Sequence, residues 1–288
     1  MKYTIKDFHE QFKTDADCLA YIYAQRFQEG ATCQQCGVKG HFYPVEGRRS
    51  YACECGFQLY PTAGTIFHKS PTSLKSWFFA MFLMTASKNG VAAKELQRQL
   101  GVTYKCAWRM AHQIRQLLAE GRLELQGVVE ADETYIGGKR RGKRGRGAEG
   151  KTPVIGIVER GGNVVAKAVG DTSARTIISN IEKHVMPQSL VITDDYQAYY
   201  RLRHVDFRHE SVRHSVKEYV RGSVHTNSIE GFWSQLKRSI NGTFHSVSRQ
   251  HLQKYVNEFA YRYNRRKSEK PMFLHLAASV AELHGSAV

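Results

Sequence analysis

The order of apolar segments between residues 127 and 264 constrains the fold of this chain more than any other feature. Short apolar runs of strand length come first, with a glycine pair between two of them, and segments of helical periodicity follow. The predicted strands are residues 127–133, 154–158, 164–169, 190–193 and 205–212. The predicted helices are residues 172–184, 228–240 and 251–263. The pattern therefore predicts an α/β domain in the second half of the chain.

Three strands followed by a helix, a strand and a helix is the order of a ribonuclease-H-like sheet, and residues 121–288 are predicted to form such a catalytic domain. Three smaller regions precede it. Residues 1–30 are predicted to be helical. Residues 31–66 are rich in cysteine, glycine and aromatic residues and suit a small zinc ribbon. Residues 67–120 have helical periodicity and are predicted to be a DNA-binding helix-turn-helix region.

Four of the six cysteines are grouped in two pairs, Cys33-x-x-Cys36 and Cys53-x-Cys55. Sixteen residues separate the pairs, and a glycine after each pair lets the backbone turn so that its amides face the sulfur atoms. Four thiolates on two short turns match one structural Zn²⁺ ion in a closed tetrahedral site. The second pair is one residue shorter than usual, and His41 is an alternative ligand. The other two cysteines are predicted to be small core residues, Cys18 and Cys106.

The charge of the chain points to a nucleic-acid partner. There are 42 lysines and arginines against 26 aspartates and glutamates, a formal net charge of +16. A surplus of this size attracts polyanions, and nucleic acid is the most common of them. A basic, glycine-rich stretch between the first two strands is predicted to be a phosphate-contacting loop, with a solvated insert as the alternative: Lys139, Arg140, Arg141, Lys143, Arg144 and Arg146.

A helix-turn-helix pattern lies between residues 91 and 118. An amphipathic segment ends at Leu100, the next three residues allow a sharp turn, and a basic helix follows. A helical hairpin within a bundle is the alternative. Trp108 is predicted to be a core aromatic residue. The predicted DNA contacts of the second helix are Lys105, Arg109 and Arg115.

Three acids occupy positions that metal-dependent phosphoryl transfer needs. Asp132 lies at the end of the first predicted strand, Asp194 at the end of the fourth, and Glu230 near the start of a helix. Acids on adjacent strand ends converge, and carboxylate oxygens are the ligands that two Mg²⁺ (or Mn²⁺) ions about 4 Å apart require. Lys237 follows Glu230 by two helical turns, so both side chains share a face and the lysine can reach a DNA phosphate.

Three segments resemble a known family. They are residues 129–138, 191–194 and 226–237, with the sequences VEADETYIGG, VITD and TNSIEGFWSQLK. These segments resemble the DDE insertion-sequence transposases that carry an N-terminal zinc ribbon, a group related to the Merlin superfamily. The resemblance covers nearly the whole chain, including residues 57–68 and 258–264, and the separated blocks agree in order and spacing.

The resemblance implies a Mg²⁺-dependent transposase that acts on the terminal inverted repeats of its own element and on target DNA. It also implies a homodimer or a larger assembly on DNA, because two transposon ends are paired. The residues that match the metal-binding triad and the basic residue after it are Asp132, Asp194, Glu230 and Lys237. Two alternatives stay open. Asp195 is the alternative to Asp194, and Asn227 is the alternative to Glu230.

The leading hypothesis is therefore a DNA transposase, and two others compete with it. A non-catalytic regulator built from the zinc ribbon and the helix-turn-helix would bind DNA without needing the triad. A structure-selective nuclease of the same fold would cleave DNA without joining strands.

The sequence also predicts where the protein works. The first residues do not resemble a secretion signal, and the most apolar stretch, residues 77–86, is too short to span a membrane. We therefore expect a cytoplasmic, nucleoid-associated protein of a bacterial cell with no membrane partner, and reduced cysteines.

Overall fold

A computed structural model describes residues 3–137, 150–213 and 220–281 of the protein, so the basic loop predicted at residues 139–146 lies outside the described residues. The chain divides into two compact units, residues 1–117 with 268–288 and residues 118–267.

The helices are, in chain order, α1 Ile5–Gln11, α2 Asp15–Arg26, α3 Leu74–Ala86, α4 Ala93–Leu100, α5 Tyr104–Leu117, α6 Ala174–His184, α7 Asn227–Ser239, α8 Leu252–Asn264 and α9 Met272–Ser279. The strands are β1 Phe42–Pro44, β2 Tyr51–Cys53, β3 Gln58–Leu59, β4 Val128–Ile136, β5 Thr152–Glu159, β6 Val164–Ala168, β7 Leu190–Thr193, β8 Arg208–Ser211, β9 Val220–Arg221 and β10 Val224–His225. Among the described residues, no helix is long and apolar enough to cross a membrane.

The first unit combines a small sheet with a helical core. Strands β1, β2 and β3 form an antiparallel sheet in that order, which carries part of the cysteine-rich region. Helix α9 packs against α3, where Phe273 contacts the rings of Phe78 and Phe82. The predicted boundary at residues 121–288 is therefore wrong for the last helix, because its apolar face is covered by aromatic residues from the start of the chain.

The second unit is built on a five-stranded mixed sheet, within the part of the chain that the structure describes. Its strand order is β6-β5-β4-β7-β8, with β4 antiparallel to β5 and parallel to β7. Three antiparallel strands followed, after a helix, by two parallel strands on the other side of the first is the ribonuclease-H-like arrangement. The predicted fold class is thus confirmed.

Helices cover both faces of this sheet. On one face, α6 packs against Ala131 and Val191, among other apolar residues of β4, β5, β6 and β7. On the opposite face, α7 and α8 pack against Val154, Val158 and Val164. Because successive strand residues point to opposite faces, Glu130 and Asp132 lie on the face opposite to that of Ala131, which is the α7 face.

Candidate active site and zinc centre

Four cysteine sulfur atoms of the first unit form a compact group. All four lie within 4.8 Å of one another, with 3.5 Å between the Sγ atoms of Cys33 and Cys55 and 3.6 Å between those of Cys36 and Cys53. A tetrahedral zinc ion with Zn–S bonds of about 2.3 Å holds its sulfur ligands about 3.8 Å apart. The donor set therefore fits one zinc ion. His41 is exposed and does not belong to the group.

Two tight turns bring these thiols together. Gly37 and Gly56 have φ angles of 74° and 88°, a left-handed conformation that glycine adopts without steric cost. The Gly56 amide donates to the Cys53 carbonyl at 2.9 Å, which closes the turn of the shorter pair. Burial raises the pKa of the Cys33 thiol, but hydrogen bonds from neighbouring amides and thiols outweigh it and lower that pKa to about 6. The shorter spacing thus does not exclude a four-cysteine site.

The predicted helical hairpin is present as α4 and α5. Gly101 ends α4 in a left-handed conformation with φ 65°. Lys105 and Arg109 are exposed on α5, next to two exposed aromatic side chains, those of Tyr104 and Trp108. The prediction that Trp108 lies in the core is therefore wrong. This face of α5 combines positive charge with aromatic surface, which suits a nucleic-acid contact.

Arg115 does not belong to this exposed face. Its side chain is only 2% exposed, and its Nη2 lies 3.5 Å from the Val91 carbonyl oxygen. Ala107, Ala111 and Arg115 follow one another at intervals of four residues, so they lie on the buried stripe of the helix. The predicted DNA contact at Arg115 is therefore wrong, because helical spacing turns this residue toward the core.

Asp132 lies in the middle of β4 and not at its end, and its side chain faces α7. The Trp233 Nε1 atom donates a hydrogen bond to Asp132 Oδ2 at 3.0 Å. Burial, together with the nearby carboxylates of Glu133 and Asp194, raises the pKa of Asp132 to about 7. Keeping a carboxyl group in such surroundings is unfavourable for folding, and strongly perturbed acids of this kind cluster at functional sites.

Asp194 directly follows β7, and β7 is the parallel neighbour of β4, the strand that carries Asp132. The parallel register pairs Glu130 with Ile192, so two residues further along each chain lead to Asp132 and Asp194 on the same face. The backbone amide two residues later donates to Asp194 Oδ1 at 3.1 Å. Because neighbouring residues of an extended chain point to opposite sides, the register favours Asp194 over Asp195.

Glu230 lies in the first turn of α7 and is exposed. Its Oε1 atom accepts a hydrogen bond from Thr226 Oγ1 at 2.7 Å, so the carboxylate is turned toward the start of its own helix. Among the described residues, the cysteines form the only group of three or more possible metal ligands at short distance. The structure thus places Asp132 and Asp194 on one face of neighbouring strands, within electrostatic reach of each other, but Asp132, Asp194 and Glu230 do not form a close group of metal ligands. Asn227 is the exposed first residue of α7.

Lys237 lies two turns beyond Glu230 on α7. Burial lowers the pKa of Lys237, while the charge of Asp132 raises it and that of Lys151 lowers it. Its ammonium group is therefore within electrostatic reach of Asp132, as expected for a side chain that holds a phosphate beside the acids.

Trp233 and Gly156 support Asp132, and neither was predicted to have a part in the site. Gly156 pairs with Asp132 across β4 and β5. A Cβ atom on Gly156 would lie 2.4 Å from Trp233 Cζ2 and 2.7 Å from Ile229 Cδ1. The missing side chain therefore lets the indole pack closely against β5 and reach the carboxylate. A glycine in an apolar strand is the sequence signal that indicates such a close approach.

Replacing Gly156 with alanine should displace the indole, because the new methyl group would overlap it. We expect Gly156→Ala to lower the free energy of unfolding by about 1 to 3 kcal/mol, the usual cost of overpacking a core. Gly170→Ala is the matched control, since no atom lies within 4 Å of a Cβ there. Urea unfolding followed by tryptophan fluorescence measures both, and equal stability of the two variants would contradict the tight contact.

The chain is similar in sequence to known transposase families. The family model described as ISXO2-like transposase domain matches residues 124–264, and the model described as transposase zinc-ribbon domain matches residues 13–58. The uncharacterized protein in transposable element ISH50 of Halobacterium salinarum is 28% identical over 270 residues, which cover 86% of this chain and 89% of that protein. An uncharacterized transposase-like protein of Haemophilus influenzae is 28% identical over 101 residues, covering 35% of this chain and 80% of that protein.

Solved structures show a weaker similarity. A pre-cleavage Mos1 transpososome has a TM-score of 0.30 at 11% identity, covering 72% of this chain and 76% of that chain. A simian T-cell lymphotropic virus intasome has a TM-score of 0.31 at 14% identity, covering 58% of this chain and 63%, less than two thirds, of that chain. The fold assignment therefore rests on the strand order of the sheet. By its two family matches, the protein belongs to the DDE insertion-sequence transposases with an N-terminal zinc ribbon, and it is a DNA transposase.

Proposed function

We propose that the protein cuts DNA at the ends of its insertion sequence and joins them to target DNA by metal-dependent phosphoryl transfer. The observation that carries this proposal is the pair Asp132 and Asp194, on one face of adjacent parallel strands, with Asp132 held by Trp233 of α7. A carboxylate whose pKa is raised by burial and by a second acid is costly for folding and useful for holding a cation.

The donor set suits two Mg²⁺ or Mn²⁺ ions. Hard divalent cations take carboxylate oxygens and keep water in their remaining positions. Asp132 and Asp194 would hold them, and Glu230 would complete the set once its side chain turns away from Thr226. When bound, the two ions activate a water molecule or a 3′-hydroxyl group and stabilise the leaving oxygen. Asp195 is the alternative ligand to Asp194, and Asn227 is the alternative ligand to Glu230.

Two further side chains of the chain would act at this site. Trp233 orients the Asp132 carboxylate through its indole N–H. Lys237 would bind a phosphate of the strand that is cut, and its charge offsets the negative charge that develops during transfer. Turning Glu230 breaks its partly buried hydrogen bond from Thr226, which costs about 1 to 3 kcal/mol.

The reaction is tested by incubating the protein with cloned element ends, target DNA and Mg²⁺, and mapping the nicks and the joined products. We expect nicks at the element ends and joined molecules. Nicks without joined products would indicate a nuclease of the same fold. Specific binding without any cleavage in Mg²⁺ or Mn²⁺ would favour the DNA-binding regulator.

We also propose that the exposed face of α5 contacts DNA phosphates. Replacing Lys105 and Arg109 with glutamine should weaken binding to every duplex sequence and lower the slope of log K against log salt by up to about 2, about 0.9 for each contact. The matched control neutralises two other exposed lysines, Lys6 and Lys183. Fluorescence anisotropy between about 50 and about 200 mM salt measures both. If the α5 variant and the control variant have equal slopes, α5 does not contact DNA phosphates.

The same measurement tests the basic loop, for which the proposal rests on its composition. Neutralising its six basic residues, Lys139 to Arg146, should lower the slope by up to about 5 if each contacts a phosphate. An unchanged slope would mean that the loop is a solvated insert.

The remaining proposals concern assembly and location. Pairing two terminal inverted repeats requires at least a dimer on DNA, which sedimentation of the complex would detect. A DNA transposase of a bacterial element works at the nucleoid, so we propose a cytoplasmic, nucleoid-associated protein.

A further inference from the structure

Glu130 is a completely buried acid two residues before Asp132, on the same face of β4. A buried carboxylate is unfavourable unless charged or polar partners surround it. Here the partners come from the start of α7, from the strand that leads into that helix, and from Arg160 directly after β5. Glu130 thus connects the strand of Asp132 with the helix of Glu230.

The Glu130 carboxylate caps α7. Its Oε2 atom accepts hydrogen bonds from the backbone amides of Ser228 at 2.7 Å and Ile229 at 3.1 Å, and its Oε1 atom accepts one from Ser228 Oγ at 3.0 Å. The N-cap residue Thr226 makes no side-chain hydrogen bond to the helix backbone. A strand carboxylate therefore takes the place of the usual N-cap side chain and lies at the positive end of the helix dipole.

Arg160 holds the segment that precedes α7. Its Nε atom donates to Glu130 Oε1 at 2.7 Å. Its two terminal nitrogen atoms donate to the carbonyl oxygens of Ser223 at 2.6 Å and His225 at 2.8 Å, just before α7 begins. The His225 Nδ1 atom lies 3.5 Å from Glu130 Oε1. Glu130 and Arg160 together thus fix the position of the first turn of α7 along β4 and its rotation about the helix axis.

We infer that Glu130 is a positioning residue for the metal site, which it serves by holding Glu230 at the correct height relative to Asp132. The inference rests on the proposed function, in which Glu230 is a ligand. Glu230 lies one residue after the amides that Glu130 holds, so a shift of that turn moves the carboxylate directly. Displacement of a ligand by about 1 Å, or loss of its supporting contacts, costs 10- to 100-fold in metal affinity or rate.

The test compares Glu130→Gln with Glu258→Gln. Glu258 is also completely buried and pairs with Arg262 on α8, so its loss should destabilise the protein in a similar way while the hydrogen bonds that Glu130 accepts from the first turn of α7 stay in place. Hydrogen exchange is measured first, without Mg²⁺. We expect the amides at the start of α7 to exchange about 10- to 100-fold faster in Glu130→Gln, since glutamine carries no negative charge and has one acceptor oxygen in place of two, and at the wild-type rate in Glu258→Gln.

The second readout is the Mn²⁺ affinity by calorimetry and the Mg²⁺ concentration for half-maximal cleavage. In Glu130→Gln the Mn²⁺ affinity should fall about 10-fold and the Mg²⁺ concentration for half-maximal cleavage should rise about 10-fold, with DNA binding unchanged. Glu258→Gln should leave both quantities at their wild-type values. If Glu130→Gln does not fold, Ser228→Ala removes one of the same hydrogen bonds and should give a smaller shift in the same direction. If Glu130→Gln, or Ser228→Ala in its place, folds and has the Mn²⁺ affinity and the Mg²⁺ requirement of the wild type, the inference is overturned. An active Asp132→Ala would instead overturn the proposed function itself.

Discussion

Asp132→Ala, Asp194→Ala and Glu230→Gln should each abolish strand cleavage and strand transfer while leaving DNA binding largely intact. Bound metal ions contribute several kcal/mol of charge stabilisation, and each 1.36 kcal/mol corresponds to a tenfold rate change, so we expect a loss of at least about 1,000-fold. DNA binding persists because basic side chains hold the phosphates and the carboxylates do not. The measurement is Mg²⁺-dependent nicking of a labelled element end, with binding to the same DNA measured in Ca²⁺.

Neighbouring residues provide the controls for this prediction. Asp195→Ala and Asn227→Ala should keep substantial activity if Asp194 and Glu230 are the ligands. Lys237→Ala should reduce transfer less than loss of an acid, because a lysine positions DNA and holds no metal. Activity in Asp194→Ala together with its loss in Asp195→Ala would move the ligand by one residue. Wild-type activity in Asp132→Ala would refute the triad.

The triad substitutions should not unfold the domain. The pKa of Asp132 is raised to about 7 in the folded state, so in metal-free protein this group lowers the free energy of unfolding progressively as the pH rises from about 4 toward about 7. Removing the acid removes that destabilisation. Loss of activity in Asp132→Ala, with stability at pH 7 equal to or above that of the wild type, would therefore identify a chemical defect and not a folding defect.

Removing zinc should have the second largest effect, the unfolding of the cysteine-rich region. The apparent binding free energy of a structural zinc site is about 10 to 16 kcal/mol and contributes directly to folding. We expect one zinc ion per chain in protein purified without chelator, and its loss in Cys36→Ser and Cys55→Ser. Elemental analysis gives the stoichiometry, and limited proteolysis reports unfolding between residues 31 and 66.

Cys106→Ser is the matched control for zinc, since Cys106 lies outside the four-sulfur group. It should keep the wild-type zinc content and the wild-type proteolysis pattern. Absence of zinc from the purified wild-type protein would contradict a zinc centre. A wild-type zinc content in both Cys36→Ser and Cys55→Ser would show that other residues bind the ion.

Local patterns in the sequence were sufficient for most elements of the catalytic domain. The strand predicted at residues 190–193 is observed at those residues, and α7 and α8 each begin and end within one residue of their predicted bounds. Ser173 caps α6 as its position before an apolar helix predicts. Periodicity, caps and turn residues depend on a few neighbouring residues, so a single sequence is enough to reveal them.

The placement of Asp132 and Asp194 on adjacent strands was also predicted, but the position of Asp132 in the middle of its strand and the surroundings of the acids were not. Asp132 and Asp194 share a face because their strands are parallel neighbours, a relation that the strand order implies. The hydrogen bond from Trp233 to Asp132 joins residues 101 positions apart, and that from Ser228 to Glu130 joins residues 98 apart. Alternation along β4 placed Glu130 beside Asp132, and nothing local indicated that a helix amide would meet it.

The sequence by itself therefore determined most elements of the catalytic domain, the cysteine pairs and the order of the acids. Tertiary structure alone decided which surface covers each face. It buried Arg115, exposed Trp108, joined α9 to the first unit and made Glu130 the cap of α7. The physical reason is that periodicity specifies an apolar or polar face but not its partner, since the free energy that selects the partner comes from packing between residues far apart in the chain.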